Sequence, residues 1–189
     1  MKPALLASYG KDEPLLRLGK LLQDNGWQLL GSAGTAKFLG ESGIPCTDVA
    51  EIVGKPILGH RVVTLSRELF AGLLATPQDA DELAALDIAS IDLVYVTLYP
   101  LEDTIAQGGS PAEVIEKTDI GGPTLLRAAA KGRRITLSSA SQIDELAAWM
   151  QAGASEEGRE KLVLRFAAAA ERRVADYVAT SAQYWEDRA

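Results

Sequence analysis

The segment Asp119-Ile120-Gly121-Gly122-Pro123-Thr124 places a carboxylate beside two glycines and a proline, just before a helical stretch. Two glycines before a proline favour a defined bend, and proline suits the first turn of a helix. A carboxylate held at such a bend could act as a general base in a pocket. It could equally serve as a turn or capping residue. The residues alone leave both interpretations open.

A second segment, Gly31-Ser32-Ala33-Gly34-Thr35, leads from a strand into a helix. Small residues let backbone N–H groups approach a phosphate, and the helix dipole favours an anion there. The segment is neither a G-x-G-x-x-G motif nor a P-loop. A tight turn with Thr35 as the helix cap is therefore the alternative. Lys11 could add a cation to the same pocket or lie on the surface.

Several kinds of chemistry are not expected from this chain. It contains one histidine, His60, and one cysteine, Cys46, so a His/Cys metal site of ordinary ligand count cannot be formed. The histidine has no G-x-S-x-G partner, which argues against a serine hydrolase. Cys46 cannot form an internal disulfide and is expected to be a buried structural thiol. Arg127 and Lys131 share one helix face and could bind an anion or remain solvated.

The composition is that of a folded, soluble protein. The 189 residues are 47% hydrophobic and 24% charged, and the formal net charge is −7. Such an acidic chain is a poor candidate for nucleic-acid binding, although a few local donors suffice for one phosphate. Apolar runs fall short of the roughly 18–20 residues of a membrane span. The apolar stretch at the N-terminus is too short for a signal peptide. The expected compartment is the cytoplasm.

Alternating strand and helix patterns predict an α/β fold, a mostly parallel sheet with helices on both faces. The candidate strands are Ala4–Ser8, Trp27–Leu30, Ile44–Val49, Ile91–Leu98 and Arg134–Ser138. Helices are predicted over Glu13–Asn25, from the second glycine-rich segment to about Ser42, and over Asp79–Leu86, Pro111–Lys117, Thr124–Lys131, Ser141–Gln151 and Arg159–Tyr184. Ligands of parallel sheets bind at the carboxyl ends of the strands, where the segments described above fall.

Residues 1–152 are expected to form the α/β domain and residues 153–189 a C-terminal helical extension. The apolar face predicted for this arm consists of Leu162, Phe166, Ala169, Val174, Tyr177 and Val178. A terminal amphipathic helix of this kind packs on its own domain or contacts a partner chain. The pattern does not distinguish between these two arrangements.

Four segments together resemble the IMP cyclohydrolase domain of the bifunctional purine-biosynthesis enzyme, in which that domain is fused to an AICAR transformylase. They are Gly31–Lys37, Arg61–Leu65, Leu98–Pro100 and Asp119–Lys131, the last being the most specific. The resemblance covers nearly the whole chain and implies a methylglyoxal-synthase-like fold. It implies closure of the ring of formylated AICAR (FAICAR) to inosine monophosphate (IMP) with loss of water and without a cofactor.

The resemblance also implies roles for individual residues. Asp119 would take a proton from the substrate, Lys131 would orient or neutralise that carboxylate, and Tyr99 would lie near the reacting base. The residues expected to contact substrate or phosphate are Lys11, Ser32, Gly34, Thr35, Arg61, Thr64, Thr97, Gly121 and Gly122.

One loop and three single positions depart from the family pattern. The loop Ala7–Lys11 lacks hydroxyl donors that the family has near the phosphate. Val63 stands where the family has lysine, Ser66 where it has histidine, and Thr97 where it has asparagine. Loss of a cation that stabilises developing negative charge costs roughly 10²–10³ in rate. Three functions therefore stay open: an active stand-alone cyclohydrolase, a non-catalytic relative that binds a purine ribonucleotide as a sensor or partner subunit, and another reaction such as methylglyoxal formation. A separate AICAR transformylase and a homodimer are the expected partners.

Overall fold

The computed structural model describes residues 2–59 and 61–189. Within these residues the centre of the fold is a parallel sheet of five strands in the spatial order β3-β2-β1-β4-β5. The strands are β1 (Pro3–Ser8), β2 (Gln28–Gly31), β3 (Thr47–Asp48), β4 (Leu93–Thr97) and β5 (Ile135–Leu137). The predicted α/β architecture is confirmed, although the third strand is much shorter than the pattern indicated.

Ten α-helices are present in the described ranges. They are α1 (Glu13–Asp24), α2 (Ala33–Glu41), α3 (Ala50–Val53), α4 (Arg67–Leu74), α5 (Ala80–Ala85), α6 (Leu101–Ala106), α7 (Pro111–Glu116), α8 (Gly121–Lys131), α9 (Ile143–Gln151) and α10 (Glu156–Glu186). The sequence analysis missed α3, α4 and α6. All three are short, and a periodic apolar face is hard to detect over one or two turns.

The sheet separates two apolar cores because alternate side chains of a strand point to opposite faces. On β4, Val94 and Val96 belong to one core, whereas Leu93 and Tyr95 belong to the other. The first core is covered by α4 and α8, and the second by α1 and α9. Helices therefore cover both faces, as predicted.

Helix α10 packs on its own chain and contributes to both cores. Its first half buries Leu162 and Phe166 in the second core, and its second half buries Val174 and Tyr177 in the first. The predicted apolar face was wrong at Val178, which is 53% exposed. It was also wrong at Ala169, which is exposed next to a buried Ala170.

Cys46 does not line the site described below. Cys46 is half-buried next to Gly31, and burial together with the nearby Asp48 raises the pKa of its thiol to about 12. His60 lies outside the described residues. Across the described ranges, every helix is too short or too polar to cross a membrane.

Candidate functional site

A cavity of about 610 Å³, the site cavity, opens at the carboxyl ends of β1, β2 and β4. The parallel register pairs Leu6 with Gly31 and Ser8 with Thr97, so the loops after these three strands emerge side by side. This is the edge at which parallel sheets bind ligands. The volume lies within the range of pockets that hold small-molecule ligands.

One end of the site cavity is suited to an anion. Helix α2 begins after Ser32, and Ala33 and Gly34 line the cavity, so free N–H groups of the first turn lie beside it. The Lys11 ammonium group donates to the carbonyl oxygens of Ser8 and, at 3.2 Å, of Tyr9. Burial lowers the pKa of Lys11, and the Asp12 carboxylate opposes that shift.

Thr35 does not line the site cavity, contrary to its expected substrate contact. It lies one turn inside α2, where Ser32 occupies the N-cap position, so the predicted Thr35 cap was wrong. The buried Thr35 hydroxyl accepts a hydrogen bond from the Ser8 N–H at 3.2 Å. Its role is to join the end of β1 to the start of α2.

The Asp119 carboxylate lies at the other end of the site cavity. Its Oδ1 accepts the Gly122 N–H at 2.9 Å. Burial raises the pKa of this carboxyl, and hydrogen bonds from the Gly122, Tyr99 and Gly121 N–H groups oppose that rise. The two sequence interpretations of this residue are therefore compatible. Asp119 holds the turn before α8 and also presents a carboxylate with a raised pKa to the cavity.

Close packing leaves no room for a side chain at the two glycines after Asp119. A Cβ at Gly122 would overlap the Asp119 carboxylate and lie 2.7 Å from Leu98 Cδ2. A Cβ at Gly121 would lie 3.2 Å from the Thr64 hydroxyl. Both distances are shorter than an ordinary van der Waals contact, so the glycine pair lets the helix terminus, the carboxylate and the Thr64 loop converge.

An aromatic pair forms the cavity wall between these two ends. The Tyr9 and Tyr99 ring centroids are 5.2 Å apart, with an interplanar angle of 58°. Burial raises the pKa of Tyr99, Asp119 adds to that rise, and Lys117 opposes it. The Lys117 ammonium group lies 5.3 Å from the Tyr9 centroid and 5.8 Å from the Tyr99 centroid.

Three residues at this site escaped the sequence analysis as candidates. Tyr9 lies directly after β1, at the edge where parallel sheets bind ligands, and this position was an available signal. Lys117 had no recognisable motif, and Trp185 arrives from the last turn of α10 to line the site cavity. Only the three-dimensional fold brings these last two residues to the site.

The loop before α4 contributes Arg61, Val63 and Thr64 to the cavity lining. The Arg61 Nε donates to the Leu58 carbonyl oxygen at 3.0 Å. Val63 packs against the first core. Ser66, the second departure from the family pattern, accepts the Leu69 N–H at 3.2 Å and caps α4.

The Thr97 hydroxyl, at the third departure from the family pattern, connects the ends of β1 and β4. It accepts the Tyr9 N–H at 2.8 Å and forms a 2.8 Å hydrogen bond with the Ser8 hydroxyl. Thr97 also lines the site cavity. Its hydroxyl therefore already serves the backbone that positions the aromatic pair.

The structure does not bring Lys131 to Asp119. Lys131 is the exposed last residue of α8, whereas Asp119 precedes the first residue of that helix. A rise of 1.5 Å per residue separates the two ends of this helix by about 15 Å. Within one chain Lys131 therefore cannot orient or neutralise the carboxylate. Arg127, on the same helix, pairs with Glu171 of α10 at 3.3 Å.

The remaining expected site residues converge on one cavity. Its lining includes Lys11, Ser32, Gly34, Arg61, Thr64, Thr97, Tyr99, Asp119, Gly121 and Gly122. An anion-suited helix terminus, an aromatic pair and a carboxylate at a second helix terminus follow one another along the sheet edge. This arrangement can hold an elongated, phosphorylated ligand and exchange a proton with its far end.

Comparison with known proteins finds a family model and several proteins that are similar to this chain. Residues 14–124 match the family model described as MGS-like domain. The bifunctional purine biosynthesis protein PurH of Thermosynechococcus vestitus is 52% identical over 134 residues, which are 68% of this chain and 26% of that protein. The PurH protein of Deinococcus radiodurans is 36% identical over 187 residues, which are 97% of this chain and 36% of that protein.

The chain thus spans about a quarter to a third of the length of the curated relatives that it matches. One solved structure is instead matched by this chain over nearly its whole length. The crystal structure of ForH superimposes with a TM-score of 0.77 at 31% sequence identity, covering 97% of this chain and 98% of that chain.

Proposed function

The chain belongs to the MGS-like domain family, and we propose that its activity is that of an IMP cyclohydrolase, which closes the ring of FAICAR to IMP with loss of water. Curated purine-biosynthesis proteins are among its relatives, which supports a purine ribonucleotide as the ligand. One observation carries the proposal: a single cavity joins an anion-suited helix terminus, at Lys11 and Gly34, to the Asp119 carboxylate.

The distance from the anion end to the aromatic wall suits a ribonucleotide. The anion end follows β2 and the Tyr99 wall follows β4, with β1 between them. Neighbouring strands lie about 4.8 Å apart, so the anion end and the Tyr99 wall are separated by about 10 Å. An extended ribonucleotide can place its 5′-phosphate at the start of α2 and its base beside Tyr99 and Asp119.

The reaction requires removal of two protons and one oxygen. The carboxamide nitrogen of FAICAR bonds to the formyl carbon, and the formyl oxygen leaves as water with one proton from that nitrogen and one from the formamido nitrogen. Asp119 is the proposed proton acceptor, since burial raises the pKa of its carboxyl and makes it a stronger base. The Tyr99 hydroxyl is the proposed donor to the departing oxygen.

Ring closure within one molecule also benefits from positioning alone. Both reacting groups belong to the same substrate, so a cavity that fixes their orientation removes most of the entropic cost of their encounter. This supports activity without the lysine that Val63 replaces. FAICAR must be supplied by another protein, and a separate AICAR transformylase is the proposed source.

A second candidate is a relative that binds a purine ribonucleotide without converting it. It is favoured by the three positions that depart from the family pattern. Val63 carries no charge, the Ser66 hydroxyl caps α4, and the Thr97 hydroxyl joins β1 to β4. Such a protein would keep the anion end and the aromatic wall as a binding site.

The test is the conversion of FAICAR to IMP by the purified chain, followed by absorbance against a blank without protein. Asp119→Asn is compared with Asp24→Asn, whose carboxylate is exposed at the end of α1. We expect turnover that is lost in Asp119→Asn and kept in Asp24→Asn.

The affinity for IMP, measured by calorimetry, separates the two candidates. Binding without turnover would establish the second candidate and overturn the first. Neither binding nor turnover, in a folded protein, would overturn both.

A further inference from the structure

Lys117 holds a positive charge beside the aromatic wall of the site cavity. Its ammonium group lies 5.3 Å and 5.8 Å from the ring centroids of Tyr9 and Tyr99. Both distances fall within the roughly 6 Å over which a cation is attracted to an aromatic ring. One cation therefore contacts two rings that follow neighbouring strands and line the same cavity.

The backbone at Lys117 is fixed by the same contacts that fix Asp119. The Lys117 N–H donates to the Glu113 carbonyl oxygen at 3.0 Å and ends α7. Its own carbonyl oxygen accepts the Tyr177 hydroxyl at 2.9 Å. Tyr177 in turn accepts the Asp119 N–H at 2.8 Å. The Tyr177 hydroxyl therefore joins the backbone of the residue that carries the cation to the backbone of the residue that carries the carboxylate.

Lys117 contacts the aromatic wall without lining the cavity itself, and the cations that do line the cavity serve other parts of it. Lys11 lies at the anion end, where it donates to two backbone carbonyl oxygens. Arg61 lies in the loop before α4 and donates to the Leu58 carbonyl oxygen. Val63, in the same loop, brings an alkyl group to the cavity lining. The charge beside Tyr99 is thus contributed by Lys117.

We propose that Lys117 is a positioning residue of this site, which acts through the Tyr9–Tyr99 pair and supplies the positive charge that Val63 does not carry. The inference rests on the proposed function and identifies how the site works without that lysine. A positive charge favours the negative charge that develops on Tyr99 as it donates a proton. In agreement, Lys117 lowers the pKa of Tyr99, against the rise caused by burial and by Asp119, Glu116 and Tyr9.

The first experiment compares Lys117→Met and Lys117→Arg with Lys20→Met, a loss of the same charge on the exposed surface of α1. In Lys117→Met we expect kcat for FAICAR to fall by about 10- to 100-fold, the range for removal of one partly solvated charge. The affinity for IMP should change much less. Lys117→Arg should retain most of the activity, and Lys20→Met all of it.

The second experiment measures a property that a purely structural role would not change. Ultraviolet titration of tyrosinate, with and without Tyr99→Phe, reports the ionisation of Tyr99. We expect Lys117→Met to shift that ionisation to higher pH, since Asp119, Glu116 and Tyr9 remain to disfavour the anion.

The outcomes separate the two proposals. Wild-type kcat and unchanged Tyr99 titration in Lys117→Met would overturn the role of Lys117 and leave the proposed function intact. Absence of turnover in the wild-type chain would overturn the proposed function. The Tyr99 titration would then decide by itself whether Lys117 acts on the aromatic pair.

Discussion

The Tyr177 hydroxyl accepts a hydrogen bond from the Asp119 N–H at 2.8 Å, although the two residues are 58 positions apart. It also donates to the Lys117 carbonyl oxygen at 2.9 Å. Burial raises the pKa of Tyr177 to about 12, so the phenol remains protonated near neutral pH. The long helix α10 thereby fixes the backbone that carries the candidate base.

Tyr177→Phe should weaken both the fold and the site. The change keeps the buried ring but leaves two backbone groups without their partner, at a cost of about 1–3 kcal/mol in the free energy of unfolding. Turnover of FAICAR should also fall because the backbone around Asp119 loses an anchor. Urea denaturation measures the first effect, and the absorbance assay measures the second.

Tyr184→Phe is the matched control for this change. Tyr184 lies on the same helix and is also buried, but its hydroxyl has no hydrogen-bond partner among the described residues. Its removal should leave the free energy of unfolding unchanged or slightly higher. Equal losses in the two variants would contradict the role given to the Tyr177 hydroxyl.

Gly122→Ala should impair the site more than its small size suggests. The new Cβ would overlap the Asp119 carboxylate and approach Leu98 Cδ2, so the carboxylate must move. A misplaced reacting group can cost on the order of 100-fold in rate, which steady-state kinetics would detect. Gly40→Ala, in the open space of α2, should retain full activity and gain about 0.5–1 kcal/mol in stability.

The dependence of turnover on pH should show an acid limb set by Asp119. A base must be deprotonated, so kcat/KM should rise as pH rises through the pKa of the Asp119 carboxyl, which burial places above its ordinary value of 3.8. Tyr99→Phe should lower kcat/KM but keep an acid limb. Persistence of that limb without the Tyr99 hydroxyl would indicate that the Asp119 carboxylate controls it. A limb at or below the ordinary aspartate value would show that Asp119 is not the controlling base.

The raised pKa of the Asp119 carboxyl also makes the free energy of unfolding depend on pH. A carboxyl whose pKa is raised in the folded state binds its proton more tightly there than in the unfolded chain. Its contribution therefore lowers the free energy of unfolding as pH rises from the ordinary aspartate value toward the raised one. Wild-type stability measured over this interval should include that decrease, which a neutral side chain at the position would remove.

Ligand binding should be visible at Trp185. This side chain lines the site cavity and is 52% exposed, so a ligand in the cavity would shield it from solvent. IMP should therefore reduce acrylamide quenching of its fluorescence, measured in a Trp27→Phe, Trp149→Phe background. Calorimetric binding with no change in quenching would place the ligand away from this wall.

Much of the site was predictable because parallel strands impose a simple geometry. Glycine-rich and polar segments that follow separate strands must converge at one edge, and Lys11 after β1 and Gly34 after β2 do so. Asp119, between α7 and α8, reaches the same cavity through the helix that it precedes. The aromatic pair follows the same rule. Tyr9 comes directly after β1 and Tyr99 is the second residue after β4, and the register of β1 against β4 places their rings together.

The errors arose where the answer depended on tertiary contacts. A motif that includes both Asp119 and Lys131 suggests that they act together, yet the helix between them carries the lysine about 15 Å away. Periodicity indicates which face of α10 is buried but not what that face contacts. The contributions of Tyr177 and Trp185 to the site therefore required the structure.

The match to the family model ends at residue 124, whereas α10 brings Tyr177 and Trp185 to the site from beyond that limit. Substitutions in this helix can therefore alter the cavity wall, at Trp185, or the hydrogen bonds that hold the backbone of Asp119, at Tyr177. Two homologues that agree throughout the matched span can still differ in chemistry if their C-terminal helices have diverged. Sorting such homologues by function calls for comparing this helix as closely as the glycine bend at Asp119.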